Sequence, residues 1–219
     1  MPILALGFVA QQLFVVPKSY DAYLFLSGYG MKSGHLWELL TCQLFHSNRS
    51  LASGGIHLLV NLAGLGFVGR TVEAHLGRRR FLRLYLAAGL AGALAQGLVA
   101  MTGFLLPDSL GTAADFLLAR FGQSVGSSSG LCGVFAVFCL WKGHTRISLL
   151  WLIPVQAGRL LWVALVVSAL LIAIPSDPSL GHIGHCVGLL TGMVLYKLWR
   201  QPDGRGAAGG PDCQPAARS

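Results

Sequence analysis

Long apolar runs separated by short polar stretches dominate this chain, and their spacing predicts helices. The runs are Pro2 to Val16, His57 to His75, Phe81 to Leu106, Gly126 to Trp141, Leu160 to Pro175 and His182 to Trp199. Only segments that satisfy their own backbone hydrogen bonds can cross lipid, and a helical crossing takes about 20 residues. The expected fold is therefore an all-α membrane protein, a six-transmembrane-helix bundle occupying residues 1–200. The first run is short for a crossing and lacks a charged leader and a small-residue cleavage site, so it reads as a retained span. Between spans four and five, Ile147 to Arg159 contains Pro154 and ends in a charge, which places it along the inner interface. Residues 201–219, rich in Gly, Pro, Ala and Arg, read as a disordered cytoplasmic tail.

Composition agrees with the periodicity. With 54% hydrophobic and 11% charged residues in 219, and a mean hydropathy of +0.64, the polar surface is too small for a soluble domain of this size. The net charge of +8 is topological. Arg78, Arg79, Arg80 and Arg83 lie between spans two and three, Lys142 and Arg146 between four and five, and Lys197, Arg200 and Arg205 after six. All three connections fall on one side, so both termini are expected in the cytoplasm of a bacterial cell, with the chain multi-pass in its inner membrane. Asp21, Glu38, Asp108, Asp115 and Asp177 fall in the opposite loops. Glu73 is expected to pair with a neighbouring arginine at the inner boundary. Basic and aromatic residues do not interleave, so nucleic acid is not an expected partner. The five cysteines lack metal-ligand spacing, and neither a metal nor a cofactor is expected.

Polar groups inside the spans carry the candidate chemistry, because they are costly in hydrocarbon. Ser127, Ser128 and Ser129 open span four and could simply cap it. Ser129 precedes Gly130 and lies about 20 Å above the inner anchor Lys142, while His185 lies about 18 Å above Lys197. Equal depth lets the two meet if spans four and six pack closely, which the pair Gly188 and Gly192 permits. A histidine in reach of a serine hydroxyl can take its proton and make it a nucleophile. His182, one turn earlier, is the competing base but is expected to be solvated. His57 and Asn61 share a face of span two and could donate to an oxyanion. No intramembrane Asp is available, so a dyad is expected.

These residues resemble the rhomboid intramembrane proteases. The resemblance rests on HxxxN at His57 to Asn61, a serine followed by glycine at Ser129 and Gly130, and His185 followed by CVG and LLTG. It extends through Trp37 to His46 and Thr71 to Gly77, over roughly residues 35 to 200. It implies a serine endopeptidase that cleaves transmembrane segments of membrane proteins near the outer face. Ser129 would be the nucleophile, His185 the general base, and His57 and Asn61 the oxyanion donors; membrane-protein substrates and the lipid bilayer would be its partners. Departures are Ser127 in place of the first glycine of GxSG, Gly133 where many members carry an aromatic residue, Glu38 where Trp-Arg is usual, and an insertion around Asn48 to Gly55. They suggest a divergent subgroup resembling the rhombosortases. The alternative is a catalytically inactive rhomboid-like protein that binds transmembrane segments.

Overall fold

The computed structural model describes residues 23–45, 51–105, 123–124, 127–149, 153–173 and 181–200. The expected first span, His46, Asp21, Asp108, Asp115, Asp177 and the tail from Gln201 lie outside the described residues. The elements in chain order are β1 (Leu26–Ser27), α1 (Gly28–Lys32), α2 (Glu38–Thr41), α3 (Leu51–Gly64), α4 (Arg70–Leu76), α5 (Arg78–Leu105), β2 (Gln123–Ser124), α6 (Ser128–Trp141), β3 (Arg146–Leu149), β4 (Ile153–Gln156), α7 (Ala157–Ala173) and α8 (His182–Arg200). The molecule is thus mostly helical.

A wider π-turn at Leu65–Gly69 joins α3 to α4 without a break, since the flanking Gly64 and Arg70 keep right-handed helical angles. This rod ends at Gly77, whose φ of 77° suits a residue without Cβ and whose N–H caps the Glu73 carbonyl. The stretches Gly55–Leu76 and Arg78–Thr102 are each long and apolar enough to cross a membrane, whereas α6 and α7 are apolar but shorter. Leu82, Leu86, Leu90, Leu94 and Leu98 form an exposed stripe along α5, and Val163, Val166, Val167 and Leu170 do the same on α7. Apolar faces this extensive are not left to water in soluble monomers. They face lipid.

The centre of the molecule is α6, which packs against α5, α7 and α8. Its small residues explain this: Gly130, Gly133 and Ala136 are buried along with Val134 and Val137. A Cβ on Gly188 would collide with the Ser129 carbonyl, and one on Gly192 with the Gly133 carbonyl. The α6 and α8 backbones therefore touch along the pair of glycines expected to allow it.

Three boundaries differ from the sequence reading. Helix α3 begins at Leu51, so part of the stretch assigned to an insertion is helical. The segment assigned to the inner interface is an antiparallel hairpin, with Arg146 opposite Gln156 and Ser148 opposite Pro154, and α7 starts at Ala157 rather than Leu160. At the other end of the molecule β1 pairs with β2, Leu26 opposite Ser124, tying the loop before span two to the approach to α6. Glu73 makes no ion pair among the described residues, where the single such pair is His35–Glu38.

Candidate active site

The N-terminal turn of α6 holds the three serines, and each has a different environment. Ser127 is the N-cap residue, but its side chain makes no capping hydrogen bond. Ser128 places its Oγ 2.7 Å from His185 Nε2 on α8. Ser129 points elsewhere: a Cβ built on Gly92 of α5 would lie 2.6 Å from the Ser129 Cβ, and one on Gly184 of α8 would lie 2.6 Å from its Oγ. The hydroxyl expected at His185 was that of Ser129; the structure brings Ser128 there instead. Depth could not separate them, because neighbouring residues differ by about 1.5 Å in rise but by about 100° around the helix axis. Contact with two glycines decides the rotation, turning Ser129 into the α5–α8 seam and Ser128 toward the imidazole.

The Ser128 hydroxyl can donate to Nε2 when the ring carries its proton on Nδ1. The His182 ring stands edge-on to His185, with centroids 5.4 Å apart and planes at 77°. Its ring nitrogens are buried, in contrast to the solvated position expected for it. His57 and His182 both lie within electrostatic range of His185. Ser128 belongs to the first turn of α6, whose N–H groups have no intrahelical acceptors.

His57 and Asn61 sit one turn apart on α3. Asn61 is buried, and its Nδ2 donates to the His57 carbonyl at 3.0 Å. Their level is fixed by a contact below them. A Cβ on Gly64 would lie 2.6 Å from a Leu131 methyl, and α3 and α6 run in the same direction. Asn61 is three residues before Gly64, and Ser128 three before Leu131, so both stand one turn above that contact.

Sequence reasoning missed two features. Gln96 on α5 is 2% exposed and its carboxamide has no hydrogen-bond partner among the described residues; its signal was that of a lone amide in the apolar run 81 to 106. The second is a buried carboxyl cluster in the segment before α3. Glu38 is fully buried, accepts hydrogen bonds from the Ser27 N–H at 2.8 Å and the Ser27 hydroxyl at 3.1 Å, and meets His35 Nδ1 at 3.2 Å. The His35 ring stacks on Trp37 at 4.5 Å, and the Trp37 indole donates to the Tyr23 carbonyl. Among the described residues no group of His, Cys, Asp and Glu is suited to hold a metal.

The sequence model of the rhomboid domain matches residues 33–201, which take in α2, the α3–α4 rod and every helix of the serine–histidine site. The chain belongs to the rhomboid family. Among curated proteins, this rhomboid is 28% identical over 159 residues to RHOMBOID-like protein 2 of Arabidopsis thaliana, covering 73% of this chain and 41% of that one. It is 28% identical over 193 residues to RHOMBOID-like protein 4 of the same plant, covering 81% and 40%. RHOMBOID-like protein 7 is 24% identical over 163 residues, covering 74% and 42%. The chain spans about two fifths of the length of these curated relatives. The rhomboid domain and the apolar helices make it an integral membrane protein.

Proposed function

We propose that this rhomboid is an intramembrane serine endopeptidase with a Ser128–His185 dyad. The observation that carries the reading is the 2.7 Å contact between Ser128 Oγ and His185 Nε2, across two helices whose backbones touch. His185 takes the Ser128 proton as the hydroxyl attacks the scissile carbonyl of a transmembrane substrate, and returns it to the leaving amine. The tetrahedral oxyanion is held by the Ser128 N–H with His57 and Asn61 as side-chain donors, which the shared level of Asn61 and Ser128 supports. Ser129 is a packing residue. With Ser128 as nucleophile, Gly126 takes the place of the first glycine of GxSG, and Ser129 that of the last.

The proposed topology is six spans over residues 1–200, both termini cytoplasmic, with the dyad toward the outer leaflet. The clustering of His75, Trp141 and Tyr196 at one end supports it: His75 stacks on Trp141 at 3.9 Å and lies 6.3 Å from Tyr196, so the arginine- and lysine-bearing helix ends share one side. A fluorophosphonate probe tests the function. Labelling of the wild-type chain that is lost in Ser128→Ala and retained in Ser129→Ala is the expected result. No labelling of the wild type would instead favour an inactive member that binds transmembrane segments.

A further inference from the structure

At the basic end of the molecule, away from the dyad, a cavity of about 440 Å³ opens between the last turn of α6, the first turns of α7 and the last turns of α8. Its polar lining is Arg159, Lys197, His144 and Gln156; Leu161, Trp162 and Met193 supply apolar wall. The hairpin closes one side, where the Gly158 N–H donates to the Gly143 carbonyl at 3.1 Å and a Cβ on Gly158 would meet that oxygen. No carboxylate lines the cavity, and neither Arg159 nor Lys197 has an ion-pair partner among the described residues. Two unpaired cations lining one recess call for an anion. The apolar wall decides which kind. It runs into the exposed faces of α7, where Trp162 is 63% exposed beside Val163 and Val166, and of α8 at Leu190, Val194 and Leu198. A small soluble anion would leave that wall unused, whereas a phosphate carrying an acyl chain fills both parts.

We propose that this cavity binds an anionic phospholipid of the inner leaflet, with the headgroup phosphate between Arg159 and Lys197 and one acyl chain along Leu161, Trp162 and Met193. Trp162 marks the height of the headgroup region, where indoles concentrate, and basic recesses between spans on the inner side suit such headgroups. The site is independent of the peptidase reading and would serve an inactive member equally.

The test is a titration of the full chain in detergent with phosphatidylglycerol and, separately, phosphatidylcholine, read as bound lipid by native mass spectrometry. Each cation near an anionic headgroup contributes about a fivefold gain, so Arg159→Gln with Lys197→Gln should weaken phosphatidylglycerol about 30-fold and phosphatidylcholine, whose choline offsets the charge of its phosphate, by far less. Should the double variant fail to fold, each single variant is expected to lose about fivefold. Arg159→Lys with Lys197→Arg, which keeps both charges, should bind phosphatidylglycerol like the wild type. Unaltered affinity in the glutamine variants overturns the site. Displacement of phosphatidylglycerol by millimolar inorganic phosphate would make the ligand a soluble anion and overturn the lipid assignment.

Discussion

Two clusters in this molecule bring together serine and histidine, and they are built in opposite ways. Before α3, Ser27, His35 and Glu38 assemble every residue type of a catalytic triad within hydrogen-bond distance. Yet the Ser27 hydroxyl donates to Glu38 rather than to a histidine, and its oxygen accepts the Gly30 N–H to cap α1. Glu38 stands between Ser27 and His35, bonded to the first through one oxygen and to the second through the other, so no histidine is in place to take a proton from the serine. At the head of α6, Ser128 faces the imidazole itself, and the helices are held by glycine contacts that use none of its polar atoms. A constellation of residue types is therefore not a site. What separates them is which group the serine hydroxyl meets, and whether packing or hydrogen bonding holds the frame.

The largest expected effect tests that separation directly. Ser128→Ala should lower cleavage of a single-span membrane substrate by ~10^4-fold or more, to background. Ser129→Ala should stay within about tenfold of wild type, since it removes only a hydroxyl from a packed seam. The reverse order, scored by reporter cleavage in membranes, would mean that α6 is rotated by one residue relative to its neighbours. Ser27→Ala should retain turnover per folded molecule despite its histidine neighbour. Next in size, His57→Ala and Asn61→Ala should each reduce turnover by ~100-fold to 1,000-fold, the usual consequence of losing one oxyanion donor. Turnover at the wild-type rate in both would remove α3 from the mechanism.

The apolar helices among the described residues were legible because a helix facing lipid must be apolar along its length. The run His182 to Trp199 reappears as α8 with its ends within one residue, and the run His57 to His75 reappears with its end at Leu76 but its start moved back to Leu51. That His185 would meet a serine of α6 was legible from Gly188 and Gly192, which let the two helices touch. The choice between Ser128 and Ser129 was not, because it depends on helix rotation, which Gly92 and Gly184 set from two other helices. The Glu38 cluster was invisible for a related reason. In the sequence Glu38 is an ordinary charged loop residue, and only the return of Ser27 and Gly30 over it makes it buried. A Cβ on Gly30 would strike its carboxylate, so that glycine is needed for close approach. The hairpin at 146–156 was missed because Pro154 and the charge at Arg159 only placed the segment along the inner interface, whereas a proline on a two-stranded edge costs little.

A smaller effect distinguishes the clusters by stability. Glu38→Ala strands the Ser27 N–H, its hydroxyl and His35 in a buried space, which should cost about 3 kcal/mol. For a chain of this size that lowers the melting temperature in detergent by about 6 to 12 °C. Ser128→Ala should leave melting within about 2 °C, because its frame is glycine packing. Equal melting losses in the two variants would erase the contrast between a hydrogen-bonded frame and a packed one.

The smallest expected effect is a pH dependence belonging to the Glu38 cluster alone. Burial pushes the Glu38 carboxyl above its ordinary value of 4.5, against the Ser27 N–H, the Ser27 hydroxyl and His35, all of which favour the charged form. A folded-state value above the unfolded one means that the folded chain keeps a proton the unfolded chain has released. Its contribution is fully present below 4.5 and is lost as pH rises through the higher folded value. Cys42, the nearby thiol, is pushed up to about 12 by burial and by Glu38 and does not titrate in this window. His35 does face the carboxyl, so the comparison is best made in a His35→Gln background. There, the melting temperature should fall as pH climbs from 4.5, and adding Glu38→Gln should flatten the curve. A melting temperature that rises over the same window, with the rise removed by Glu38→Gln, would show that the hydrogen bonds from Ser27 outweigh burial and that the cluster is held as a carboxylate.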